Sequence, residues 1–261
     1  MPNELIPGRN AVAEALRAGR QLERIIVSRE SKRAQDPLLR EARRRGIEVV
    51  FAERAALDSL VGRGGHQGIV AVAPARPPST IEDIFAEAAK RKEEPFIVLL
   101  DGVEDPQNLG AIIRSAEAAG AHGIVIPERR AAGITPVVRK ASAGATEHIK
   151  VVSVPSTLRA LQLIKKRGLW VVGADNRAER SVFNENLRGS VALVFGGEDK
   201  GISTAAAAMC DRLVRIPMKG RMKSLGVSAA AAIVIFEKMR QDGTENYAQK
   251  PKHIYNDSGI R

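Results

Sequence analysis

Three stretches in the second half of the 261-residue chain combine residue types and spacings that could serve a ligand site. The first, DPQNLGAIIRSAEAAGA, follows the apolar run FIVLLD. Asp105 or Asn108 can cap a helix whose apolar stripe is Leu109, Ile112, Ile113 and Ala116, and Arg114 falls roughly opposite that stripe at ~100° per residue. A capped helix with one solvated arginine accounts for these residues taken alone. Position favours a site, because ligands of open α/β sheets bind at the carboxyl ends of strands.

The second stretch, VALVFGGEDKGIS, carries a strand into Gly196, Gly197 and Glu198 and on to a helix beginning near Ser203. Adjacent glycines let the backbone approach a ligand closely or adopt positive φ. An ordinary tight turn, with Glu198 as a salt-bridge partner, explains it equally well. The third, VRIPMKGRMKSLGVSAAAAIVIFEKMR, ends a strand at a proline and then sets three cations beside the start of a helix rich in small residues. Such cations either bind phosphate or are solvated.

The elements that must position these residues fall into two groups. From Pro7 to Pro74, helical AVAEALRAG and LLREARRRG alternate with strand-like RIIVS, IEVVF and GIVAVA, which predicts a small α/β domain over 1–75. Prolines in APARPPS break regular structure before a charged helix begins near Thr80, so 76–95 reads as a linker. From Phe96 the runs FIVLLD, GIVIP, IKVVSV, LWVVGAD, VALVFGG and DRLVRIP predict a parallel sheet covered on both faces over 96–243, closed by a helix from about Ser224 to Gln241. Residues 244–261 form a polar, basic tail.

Lys and Arg number 41 against 30 Asp and Glu, a net charge of +11 that suits a polyanionic partner. Aromatics are only 3% of the chain, which argues against a broad base-stacking platform. The single cysteine, Cys210, excludes an intramolecular disulfide and a thiolate zinc site, and fits a reducing cytoplasm. MPNELIPGRN has no apolar secretory core and no run of about 18 apolar residues occurs, so neither secretion nor membrane spanning is expected.

In their order, DPQNLGAIIRSAEAAGA, LVFGGEDKGIS and IPMKGRMKSLGVSAAAAI resemble the three motifs of the SpoU/TrmH family of RNA 2′-O-ribose methyltransferases, in the SPOUT superfamily. GRNAVAEAL and GGHQGIVAVAP resemble the substrate-binding domain of the branch that methylates a guanosine of 23S ribosomal RNA. The resemblance implies a trefoil-knotted, parallel-sheet methyltransferase domain preceded by a small α/β (L30e-like) RNA-binding domain. It also implies S-adenosylmethionine as methyl donor, no metal, and a homodimer with each site at the interface. Carried across by motif, Asn108, Arg114, Glu198 and Ser224 are the expected catalytic residues, and Gly196, Gly197, Ile216, Met218 and Leu225 surround the cofactor. Arg114 is expected to contact the attacking hydroxyl or its neighbouring phosphate, Asn108 to orient the ribose or Arg114, and Glu198 to hold the first motif. Arg40, Arg43, Arg44 and Arg45 are the expected RNA contacts of the first domain, a solvated basic helix being the alternative. The chain departs from the family in reading SLGVS for SLNVS: Gly226 removes an amide and suits a left-handed backbone. Transfer RNA as substrate, or a catalytically silent RNA-binding protein, are the competing functions.

Overall fold

The computed structural model describes residues 3–31, 36–62, 65–129, 131–198, 200–222 and 224–243. Gly64 of the GGHQG stretch, Asp199 and Lys223 of the second and third motifs, and the tail 244–261 lie outside these residues.

The amino-terminal unit is a four-stranded sheet in the order β1-β4-β2-β3, made of β1 (Asn3–Pro7), β2 (Arg24–Ser28), β3 (Glu48–Ala52) and β4 (Ile69–Pro74). Helices α1 (Arg9–Arg17), α2 (Pro37–Arg44) and α3 (Arg54–Val61) connect them. The strand β1, in the NELIP segment, carries no alternation strong enough to announce it; pairing with the buried β4 makes it a strand. This sheet is mixed, with β2 parallel to β3 and antiparallel to β4.

Helix α4 (Ile81–Arg91) begins where expected, because Thr80 and Asp83 form a capping box. It leads into a six-stranded sheet ordered β10-β8-β9-β5-β6-β7, every neighbouring pair parallel. Its strands are β5 (Phe96–Asp101), β6 (Gly123–Pro127), β7 (Lys150–Val154), β8 (Trp170–Ala174), β9 (Val191–Gly196) and β10 (Arg212–Val214). Strand alternation splits the core into two layers. Phe96, Val98 and Leu100 with Val191, Leu193 and Phe195 pack against α5 (Pro106–Ala118) and α9 (Val227–Gly243). Ile97, Leu99, Ala192 and Val194 face α4, α7 (Thr157–Lys166) and α8 (Thr204–Met209). Burial on both faces is why these strands read as continuous apolar runs. The helices after the adjacent strands β5 and β9 therefore lie on opposite faces, which opens a crevice at their carboxyl ends.

The two units touch through β1, which lies against α6 (Pro136–Ala141), and through α1, which lies on the segment after it. Gly144 sits at φ +94°, and a Cβ there would come within 2.8 Å of the Cβ of Glu14, so only glycine permits this approach. Glu14 also pairs with His148 at 2.9 Å.

Candidate active site

Each of the three motifs contributes to one polar cluster at the carboxyl ends of β5 and β9. Asp105 caps α5, its side chain accepting from the Gln107 N–H at 2.8 Å, and this leaves Asn108, in the first turn, free for another role. The Asn108 Nδ2 donates to Glu198 Oε1 at 3.0 Å, and its Oδ1 accepts from the Ser228 hydroxyl at 2.9 Å. Glu198 also accepts from the backbone N–H groups of Glu104 and Asp105, each at 3.4 Å. Burial opposes its charge, but the Asn108 and backbone hydrogen bonds outweigh that and hold its carboxyl below the usual range. Glu198 thus hydrogen-bonds both the loop before α5 and, through Asn108, the first turn of α5.

Beside this cluster lies a cleft of about 420 Å³, walled by Phe195, Val214, Ile216, Val227, Met218 and Leu225 and edged by polar Asp175, Glu198, Ser224, Lys200 and Arg215. Gly196 and Gly197 complete its floor, so all five residues expected around a cofactor, with Glu198 and Ser224, meet in one place. Met218 and Leu225 leave 36% and 39% of their surface exposed at the rim, apolar area that a bound ligand would cover.

The reason for the two glycines differs from the expectation. Neither adopts positive φ; a Cβ on Gly196 would lie 1.8 Å from the Gly201 carbonyl carbon, and one on Gly197 would lie 2.3 Å from the Gly102 oxygen. They are small because backbone packs directly against them there, at Gly201 and Ile202 for Gly196 and at Gly102 for Gly197. Gly226 is corrected in the same way: its φ is not in the left-handed region and nothing lies within 4 Å of a Cβ placed on it. Its carbonyl accepts from the Ala230 N–H at 3.0 Å, so it caps α9, which begins at Val227 rather than near Ser224. Ser224 and Leu225 accordingly belong to an exposed loop on the cleft rim.

Arg114 is not brought to this cluster. It is exposed on α5, six residues and about 9 Å along the axis from Asn108, and makes no ion pair or hydrogen bond with a described residue. In the first unit, Arg44 and Arg45 share Glu41, whose carboxyl they draw down to about 2, and Arg45 also donates to the Leu16 carbonyl at 2.6 Å. Arg40 and Arg43 are exposed on the same helix. Burial, with Asp211 adding to it, pushes the Cys210 thiol up to about 12, so it is no nucleophile near neutral pH.

Sequence reasoning missed three residues. Ser228 lies in the quoted SLGVS, yet only the packing of α9 on α5 shows that it, not Ser224, reaches Asn108. Asp101, the last residue of β5, accepts from Ser203 N–H at 2.9 Å and from the Thr157 hydroxyl at 3.2 Å, while its carbonyl accepts from Gly197 N–H at 3.2 Å. It thereby pins both ends of the loop carrying Glu198, and a polar residue closing an apolar strand was the available signal. Asp175, at the end of β8, holds the exposed Arg177 guanidinium at the cleft through contacts of 2.9 and 2.6 Å.

A parallel sheet covered on both faces, with a part-apolar cleft and a polar cluster at the carboxyl ends of adjacent strands, defines an α/β enzyme that takes a nucleotide-like ligand. The chain belongs to the SpoU rRNA methylase family, whose model matches residues 95–236, and a model for RNA 2′-O ribose methyltransferase substrate binding matches residues 5–79. It is 40% identical to the 23S rRNA (guanosine-2′-O-)-methyltransferase RlmB of Xanthomonas axonopodis pv. citri, over 92% of this chain and 97% of that one. The RlmB of Vibrio cholerae is 37% identical over 92% and 98%. Among solved structures, the SpoU methyltransferase AviRb from Streptomyces viridochromogenes in complex with AdoMet superposes with a TM-score of 0.76, at 27% identity over 92% of this chain and 90% of that one.

Proposed function

We propose that this protein is an S-adenosylmethionine-dependent RNA methyltransferase that methylates a ribose 2′-hydroxyl, and that its substrate is a guanosine of 23S ribosomal RNA. The observation that carries this reading is the hydrogen-bonded chain Ser228–Asn108–Glu198 beside a cleft of about 420 Å³. The cleft suits the cofactor: apolar Ile216, Met218 and Leu225 for a flat ring, with Asp175, Ser224 and Glu198 for hydroxyl, amino and sulfonium groups. The cofactor supplies an electrophilic methyl on sulfur. The residues supply placement, which can account for several kcal/mol of barrier lowering.

In this proposal Asn108 is a positioning residue: Ser228 and Glu198 occupy its amide, leaving one N–H for the ribose. Arg114 meets the phosphate or hydroxyl of the target nucleotide, where its guanidinium fork acts as a cationic hydrogen-bond donor rather than as a base. Because Arg114 stands apart from its own cleft, we place it across a homodimer interface, at the partner's site. Phe236 of α9, 40% exposed, supplies apolar surface for that pairing. The trefoil knot that the resemblance implies would lie around this cleft, whose floor includes Gly196 and Gly197. We assign 1–75 to RNA docking, 76–95 to a linker, 96–243 to methyl transfer and 244–261 to a basic tail, in a cytoplasmic protein; no helix among the described residues is long and apolar enough to cross a membrane.

Mapping 2′-O-methyl sites in total RNA from a strain lacking this protein tests the reading directly: one ribosomal guanosine is expected to lose its mark, and an unchanged map rejects it. Single-turnover methylation by Arg114→Ala at saturating RNA and cofactor is expected to fall by about a hundredfold or more. Full activity of that variant would remove Arg114 from the site.

A further inference from the structure

Where the two units meet, a second cleft of about 220 Å³ opens between β1, the segment before α4 and the start of β7. Its wall holds a dense group of buried ions. Glu147, 1% exposed, receives Arg20 at 2.8 Å, Arg139 at 3.1 Å and Arg76 at 2.8 Å. Glu4 receives both Arg20 and Arg139. Both carboxylates therefore bridge the units: Glu4 and Arg20 come from the first, Arg139 and Glu147 from the second, and Arg76 from the segment between them.

The charges in this cleft do not balance. Arg20, Arg76, Arg139 and Lys150 stand against Glu4 and Glu147, a surplus of two positive charges. His148 is taken up by Glu14 at 2.9 Å. Asp83 and Glu87 of α4 face Lys150 only at longer range and are engaged by Thr80 and Arg91 respectively. Burial draws the Arg139 pKa down, and the neighbouring Arg20 and Arg76 draw it down further, despite Glu4 and Glu147. In addition, Arg20 Nε and the Thr146 hydroxyl, both in residues lining this cleft and only 8% exposed, have no hydrogen-bond partner. Arg20 and Arg139 are matched by Glu4 and Glu147, so the surplus sits on the solvent-facing Arg76 and Lys150, where an anion entering the cleft would meet it beside residues that carry unbonded donors. The volume admits a tetrahedral oxyanion, and guanidinium forks suit its geometry.

We propose that this junction cleft binds a phosphate group, held by Arg76, Lys150 and Thr146 with Arg20 and Arg139 behind them. The source in keeping with the proposed activity, on which this part rests, is a phosphodiester of the RNA strand; a free phosphate is the other source. A strand phosphate here would engage both units at once, so RNA would be gripped only when they hold this mutual orientation.

The experiment uses the full chain and two probes. In the first arm, a 23S rRNA transcript is titrated across salt, from about 50 to 200 mM, with wild type, Lys150→Ala and Arg76→Ala. Lys150→Ala leaves every ion pair of the cluster intact and so separates phosphate contact from folding. Each variant is expected to bind RNA about tenfold more weakly at the lower salt and to lower the slope of log affinity against log salt by about one, with S-adenosylmethionine affinity unchanged. In the second arm, thermal midpoints are compared in inorganic phosphate and in chloride at equal ionic strength. A phosphate-specific rise lost in Lys150→Ala, with no change in RNA binding, assigns the cleft to free phosphate. If wild type binds RNA while neither arm responds to Lys150→Ala or Arg76→Ala, the proposal is overturned. Wild type that binds no RNA at all refutes the methyltransferase reading instead, and the phosphate arm then decides the cleft alone.

Discussion

Two polar clusters in this molecule have opposite characters. Ser228, Asn108 and Glu198 form a thin, partly exposed chain of neutral and singly charged groups at the mouth of a cleft. Glu4, Glu147, Arg20 and Arg139 form a dense, largely buried ionic cluster where the two units meet, with Arg76 at its edge. Water competes with every bond in the first, so each contributes little to stability and the value of the chain lies in where it points. In the second the groups have no alternative partner, so removing one strands the rest. Activity and stability should therefore separate between the two clusters.

The largest effect is expected at the junction. Glu147→Ala removes the carboxylate that three arginines share and should cost about 3–5 kcal/mol, read as a lowered midpoint in denaturant. A cost below about 1 kcal/mol would erase the contrast with the site cluster. Next, Glu198→Ala releases the loop before α5 and should reduce methylation by up to about a hundredfold, while stability changes by no more than about 0.5 kcal/mol. Equal loss of both would make Glu198 a structural carboxylate.

A smaller effect is expected from pH. Because hydrogen bonding holds the Glu198 carboxyl below its usual range, its ionised form stabilises the site above the unfolded value of about 4.3, and that contribution disappears as pH falls through the lower folded value. Cofactor affinity should then keep no Glu198-dependent step between about pH 5 and 7 and drop only below about pH 4. Glu198→Gln should abolish that drop; a wild-type step above pH 5 that the variant removes would contradict the assigned direction. The smallest effect is at Gly226→Asn. Open space and a helix-capping position predict a gain of a few tenths of a kcal/mol with no loss of cofactor binding. Destabilisation would show that the loop needs a glycine after all.

Much of this was legible in the sequence. The six apolar runs announced a parallel sheet because burial on both faces leaves no polar alternation, and Thr80 announced its helix because a capping box is local chemistry. The five residues expected around a cofactor, with Glu198 and Ser224, were legible as motifs that line one cleft, since each loop carries its residues close together in the chain. Strand β1 was not, since its partner lies almost seventy residues away at β4. Nor was the role of Gly196, whose demand for a bare Cα comes from Gly201 and Ile202 folding back upon it.

The sequence by itself determined the periodicities, the caps, the net charge of +11 and the residue types available for chemistry, all set by neighbours a few positions apart. Only the tertiary structure decided which of those residues meet. It joined Asn108 to Ser228 rather than Ser224, left Arg114 outside its own cleft, and gathered Glu4, Arg20, Arg76, Arg139 and Glu147 into one buried cluster. The physical reason is that hydrogen bonds and ion pairs act over about 3–4 Å in space, whatever the separation along the chain.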